Sequence, residues 1–176
     1  MRTRIPRVVI TLSTLVLALA VVVTGAGLVV AAPGEQESVT GHADFVTSNG
    51  LRFSYSFSAI RHQDGSVSGE FENHVENALT GEFILKAHVT IVCFTINGNV
   101  ARIGGIIDRQ SGLPIPPGVA PEGFITVVDN GEGHDAAPDL ASPAALGPPF
   151  QHCETGLPRP LFPLERGNIQ VRPSGL

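Results

Sequence analysis

The residues best equipped for chemistry lie between positions 129 and 139. Asp129, Asn130, Glu132 and Asp135, with Asp139 just beyond, form the densest run of oxygen ligands in the chain. A calcium ion takes about six to eight oxygens from carboxylates, amides and carbonyls, often in a loop that carries glycine. The spacing departs from an EF-hand, because Gly131 and Gly133 fall at the third and fifth places, where that loop carries ligands. A turn in which Asp129 or Asn130 bonds its own backbone accounts for the same residues. The turn is the preferred reading, calcium the weaker one, and no cofactor is expected.

Other chemistries find less support. His42, His62, His74, His88, His134 and His152 never fall at His-x₃-His or His-Glu-x-x-His spacing, so scattered surface histidines are expected. Gly65-Ser-Val-Ser-Gly69 resembles a nucleophile elbow in composition alone; the central serine and the strand-turn-helix context are missing. Glu70 and Glu72 share one outward face of a strand, whereas a glycosidase pair faces across a cleft at about 5–10 Å. No catalytic residue is assigned, and the protein is expected not to be an enzyme. Phe53, Tyr55 and Phe57 share a face and offer a wall for a small apolar ligand if the sheet closes as a barrel; a plain core is the alternative. With no Trp and one Tyr, a carbohydrate-stacking platform is poorly supported.

These residues are set on strands. Leu51, Phe53, Tyr55, Phe57 and Ala59 alternate with Arg52, Ser54, Ser56 and Ser58, and Val39, Gly41, Ala43 and Phe45 alternate with Thr40, His42 and Asp44. Such period-2 patterns put one set on a buried face. Ser48-Asn49-Gly50 and Gln63-Asp64-Gly65 mark turns. A strand from Ser66 to about Asn73 directs Val67 and Phe71 inward, and Asn73 to Gly81 reads as a polar loop. A long strand, about Phe83 to Ile96, meets Asn99 to Ile107 through a two-residue Asn97-Gly98 turn, which predicts Phe94 opposite Ala101 and Val92 opposite Ile103. Both faces of that hairpin are apolar, with Val92, Phe94 and Ile96 on one and Val89, Ile91 and Cys93 on the other, so covering on both sides is expected.

Twelve of the 14 prolines lie between Leu113 and Pro173. Phe124 to Val128 and Asn168 to Arg172 read as strands, separated by a Pro-rich excursion over about 129–166. No segment beyond the N-terminal run keeps a 3.6-residue apolar period. The expected fold is all-β, an antiparallel sandwich or small up-and-down barrel of about 7–8 strands.

Arg2, Arg4 and Arg7 precede an apolar run from Val8 to Ala32 that ends in small residues, the pattern of a secretory signal. The run is also long enough to span a bilayer. Residues 1–31 are read as a signal peptide cleaved after Ala31, with an uncleaved N-terminal membrane anchor as the alternative. Residues 32–38 are a linker and 39–176 a single β-domain. Either way the domain is expected outside the cytoplasm, secreted or at the cell surface. Loss of residues 1–31 leaves 8 basic residues against 16 acidic, a formal charge of −8. That balance argues against nucleic acid and against anionic membrane, except through the N-terminal segment. In an oxidising compartment Cys93 and Cys153 are expected to pair; two buried thiols are the alternative.

Four blocks carry a resemblance: Phe57-Ser-Ala-Ile-Arg-His-Gln-Asp-Gly-Ser-Val-Ser-Gly69, Ile96-Asn-Gly-Asn-Val-Ala101, Phe124-Ile-Thr-Val-Val-Asp-Asn-Gly-Glu132 and Gly167-Asn-Ile-Gln-Val171. In this order the chain, over about Gly41 to Arg172, resembles a group of uncharacterised exported bacterial β-domains that includes the post-COAP-1 modules found beside anchoring domains of surface proteins. The resemblance implies an exported all-β module and no established activity or catalytic residue. The Pro-rich stretch after Asp135 departs from the usual module. The leading expectation is a non-enzymatic module with a structural, adhesive or surface-interaction role, any partner being a protein or another surface component. The alternatives are a barrel that binds a small apolar ligand and, last, a secreted enzyme.

Overall fold

A computed structural model describes residues 36–174 apart from His134. The signal or anchor reading of residues 1–31, and the first part of the linker, lie outside the described residues. In chain order come β1 (Ser38–Val46), β2 (Leu51–Arg61), β3 (Val67–Asn77), β4 (Phe83–Asn97), β5 (Val100–Gly112), β6 (Glu122–Val128), β7 (Leu140–Ala141), β8 (Ala145–Leu146), α1 (Pro149–Thr155), β9 (Phe162–Pro163) and β10 (Arg166–Arg172). The strands form one antiparallel sheet in the order β10-β1-β2-β3-β4-β5-β6-β7-β9, with β8 also on β6. The all-β expectation holds, as a curled half-barrel rather than a sandwich. Its ten strands exceed the expected 7–8 because β7, β8 and β9 are two-residue pieces.

The alternating segments behave as their pattern requires. Val39, Ala43 and Phe45 of β1 and Phe53, Tyr55, Phe57 and Ala59 of β2 are buried in the hollow of the sheet. Gly41 is glycine because a Cβ there would lie 2.8 Å from the Phe57 ring. Phe45 stacks on Phe53 at 5.3 Å and meets Tyr55 edge-on at 5.4 Å, and Tyr55 meets Phe71 edge-on at 4.9 Å.

Three details of the sequence reading are corrected. β3 continues through Asn73 to Asn77, with Asn73 inward between Phe71 and Val75. The β4–β5 loop is Gly98-Asn99, not Asn97-Gly98: Gly98 takes φ +61° at the first loop position, so Phe94 lies opposite Ile103 and Ile96 opposite Ala101. A bulge at Val92 then reverses the faces of β4. Ile91 and Phe94 both enter the core, while Cys93 turns outward. Further bulges set Ile84 on β4 and Asp108 on β5 outside the ladder. Bulges add local twist and bend, which helps a sheet this wide to curl.

The third correction concerns the Pro-rich excursion, which contains a helix. Pro149 starts α1 at a position that needs no N–H partner, and Gly156 ends it at φ +73°. The helix lies on the outer face of β4, β5 and β6. Gly104 makes room for it, since a Cβ there would lie 2.6 Å from the Pro149 side chain. This is the second cover that the two-faced β4–β5 hairpin calls for. The Cys93–Cys153 disulfide, with Cα atoms 6.3 Å apart, and a 2.7 Å bond from the Thr95 hydroxyl to the Cys153 carbonyl fasten it there.

The ends of the sheet meet. β9 and β10 stand at opposite ends of the strand order, yet Leu164 and Glu165 alone separate them in the chain. The three residue steps from Pro163 to Arg166 reach at most about 11 Å, so the sheet has to curl until its edges adjoin. Leu164 donates its N–H to the Asp139 carbonyl at 2.9 Å and Glu165 to the Asp44 carbonyl at 2.8 Å.

Candidate functional site

The acidic stretch at 129–139 lies on this seam. Asp129 follows β6 and Asp139 precedes β7, facing the free side of β10. Antiparallel pairing with β1 leaves alternate β10 amides pointing away. Asp139 Oδ2 accepts the Ile169 N–H at 2.8 Å, and Asp129 Oδ2 accepts the Val171 N–H at 2.9 Å. Their other oxygens hold the connecting loop: Asp139 Oδ1 accepts from Asn130 N–H and Asp129 Oδ1 from Gly131 N–H, both at 2.8 Å. Glu132 accepts from the Asn168 amide at 2.9 Å, and the Asn130 side chain donates to the Pro138 carbonyl at 2.7 Å. The two aspartates thus replace a backbone ladder across the seam. Asp135 lies in the same loop. Among the described residues no group of three or more His, Cys, Asp or Glu side chains is placed to hold a metal ion.

The hollow of the half-barrel is filled over part of its length and open over the rest. Tyr55 crosses it. Its hydroxyl donates to the Ser142 carbonyl at 3.0 Å and accepts the Ala144 N–H at 2.7 Å, tying β2 to the β7–β8 connection. Burial pushes the phenol well above its ordinary pKa, so it keeps the proton it donates. Beside Tyr55 a cavity of about 380 Å³ opens. Its walls are Phe53 of β2, Phe71 and Val75 of β3, Ile84 and Leu85 of β4, and Ile107 of β5. Ala87, Gly123, Ala144 and Ala145 also line it, and residues this small leave the volume unfilled. Leu113, Pro114 and Pro116 continue from the end of β5 along the cavity, where proline cannot extend the ladder. Leu113 and Leu146 are 63% and 42% exposed and mark the mouth.

Two polar side chains touch this apolar space. Gln110 is occupied by the Leu113 carbonyl. Asn73 is 3% exposed, and its Oδ1 has no hydrogen-bond partner. Of the three residues expected to line a ligand site, Phe53 does so, while Tyr55 and Phe57 belong to the packed part of the core. The sequence reading missed Asn73 because a polar residue ended the strand there. The usable signal was that the inward period of Phe71, Asn73 and Val75 runs on through it.

The remaining histidines separate into two kinds. His88 sits on the outer face of the sheet, 3.0 Å from Glu70 and 3.4 Å from Asp108. The Thr90 hydroxyl, with His88 adding to it, holds the Asp108 carboxyl below its ordinary pKa. His152, expected at the surface, is instead fully buried in α1 and stacked on Phe124 at 4.2 Å. Its Nε2 donates to the Ile125 carbonyl at 3.1 Å while Nδ1 accepts the Leu157 N–H at 3.2 Å. That pattern suits a neutral ring; a second proton on Nδ1 would face the Leu157 N–H. Burial, with Arg102 and Arg159 nearby, holds its pKa below the ordinary 6.5. An imidazole with a depressed folded pKa destabilises the fold once the unfolded chain takes up the proton, so stability should fall as pH drops below about 6.5. Melting temperatures measured from neutral to mildly acidic pH should fall more steeply in the wild type than in His152→Gln. Equal slopes would refute the assignment.

No family model, curated protein or solved structure matches the chain.

Proposed function

We propose that this domain is an exported, non-enzymatic binding module that takes a small, largely apolar molecule into the open part of its hollow. The observation that supports this is the cavity. Ligand sites are typically apolar concavities of about 300–1,000 Å³ with a few polar groups, and a space of about 380 Å³ with apolar walls and the polar residues Asn73 and Gln110 in its lining fits that description. A purely structural or adhesive module gains nothing from apolar side chains left facing an open concavity, since apolar surface stabilises a fold only when it is removed from water. The N-terminal pattern and the resemblance to surface β-domains support export. The absence of a nucleophile set in the sequence supports the non-enzymatic reading.

Titration with a neutral polarity-sensitive dye such as Nile red should give saturable binding at one site with a blue-shifted emission. Ala87→Phe, which projects a ring from β4 into the cavity, should weaken it at least about tenfold while the melting temperature stays close to the wild type. Unsaturable dye uptake, or uptake unchanged in Ala87→Phe, would count against the reading.

A further inference from the structure

The geometry points to a collar around the mouth of the cavity that docks on a zwitterionic lipid surface, from which the apolar ligand enters; the entry of ligand rests on the cavity being a binding site. Two segments frame the mouth. Leu113, Pro114 and Pro116 line the cavity from one segment, and Ala144, Ala145 and Leu146 from the other. Both are tied to the start of β6: the Pro121 carbonyl accepts the Ile107 N–H at 2.7 Å, and the Glu122 carbonyl accepts the Gly147 N–H at 3.0 Å. Residues 113–121 and 140–150 contain no charged side chain, and their one polar side chain, Ser142, is fully buried. Every residue of 113–121 except Ile115 is nevertheless exposed. Leu113, Val119, Leu146 and Phe150 are four of the eight large apolar side chains exposed among the described residues. Exposed apolar residues scattered singly need no explanation, whereas a set gathered at one opening marks an interaction site.

The chemistry of this collar selects its partner. Seven of its twenty residues are proline, and each proline removes a backbone N–H. A collar short of donors loses less on entering an apolar interface, and it offers less to an added peptide strand. Residues 32–176 carry 8 basic against 16 acidic side chains. A second copy would bring another body of formal charge −8 to the same place. An anionic membrane rewards the Lys and Arg that the collar lacks. A zwitterionic lipid surface demands neither charge nor backbone donors, and its acyl boundary takes up apolar side chains. An apolar ligand also resides there rather than in water. With the mouth seated on that surface, the ligand passes from acyl chains to apolar wall without crossing water.

The test places an environment-sensitive bimane label on the full chain, either at Ala120→Cys in the collar or at Ser56→Cys on β2, both exposed positions. The label reports contact of its own site, whatever else holds the chain to a vesicle. With phosphatidylcholine vesicles, the emission from Ala120→Cys should shift to the blue and that from Ser56→Cys should not. The shift should fall by at least about half when about a third of the lipid is anionic. It should fall as far when Val119→Glu and Phe150→Glu are added, because each puts a charge on the docking face. Neither of those residues lines the cavity, so Nile red binding without vesicles should match the wild type. No shift at Ala120→Cys, an equal shift at Ser56→Cys, or a larger shift on anionic vesicles would overturn the inference. So would a shift that appears without lipid as protein concentration rises, which would assign the collar to a second copy. The cavity reading fails separately: if the shift appears but Nile red does not bind in solution, the collar docks and no ligand enters through it.

Discussion

Replacing both cysteines, as Cys93→Ser with Cys153→Ser, is expected to lower stability by about 4 kcal/mol. The bond closes a loop of 60 residues, and the chain-entropy account gives such a loop about 4 kcal/mol through the unfolded state. For a domain of this size the melting temperature should fall by roughly 10 °C or more. Loss of the bond also acts locally. Helix α1 has seven residues, and a helix of two turns does not hold its shape alone in water. Hydrogen exchange should therefore accelerate first at the Gly156 amide, which bonds the His152 carbonyl, before the β2–β3 ladder loosens. Mass measurement after alkylation without reductant should find no modified thiol in the wild type. A stability loss below about 1 kcal/mol would mean that the helix is held by packing and by Thr95 rather than by the bond.

Asp139→Ala is expected to cost about 3 kcal/mol. Its carboxylate is 7% exposed and accepts two backbone N–H groups, from Asn130 and Ile169. Hydrogen bonds to a charged acceptor are each worth about 1.5–3 kcal/mol, and removal leaves two donors without a partner. Asp139→Asn should cost less, since one amide oxygen remains to accept while its NH₂ opposes the other donor. Urea denaturation checks the magnitude, and exchange of the Ile169 amide checks the place. The same measurement separates the two readings of the acidic stretch. If hydrogen bonds hold the seam, a chelator leaves the wild-type midpoint unchanged. If an ion holds it, the chelator reproduces the Asp139→Ala loss.

The sequence was legible where one face of a strand is apolar and the other polar. β1 and β2 follow from their alternation, and the turns at Gly50 and Gly65 follow from residue type. Legibility failed where backbone irregularity intervened. Val92 is one extra residue in β4, and that single insertion exchanges the faces on either side of it; pattern alone reads the result as a strand apolar on both sides. Gly98 serves as well at the first loop position as at the second, and the choice moves every partner by two residues. Helix α1 is too short to display a 3.6-residue period. Asp129 and Asp139 were conspicuous as ligands, but their partners are amides on β10, about 30 to 40 positions away in the chain. A local reading therefore sees carboxylates without distant donors and offers a self-bonded turn or, less favoured, calcium, but not a seam. Asn73 was hidden because a polar residue reads as the end of a strand, although the inward period of Phe71 and Val75 runs through it.

The pairing of β1 with β10 has a mechanical consequence. Ser38 lies opposite Arg172, so the chain enters and leaves the domain through neighbouring residues at the same end of one ladder. Tension applied through those two residues loads the outermost rung first. When that rung opens, the force passes to Val39 and Val171, then to Thr40 and Gln170, and the ladder unzips one pair at a time. Strands pulled lengthwise past each other share the load across all their rungs; this arrangement does not. Pulled through Ser38 and Arg172, the β1–β10 ladder therefore yields at a lower force than one loaded in shear.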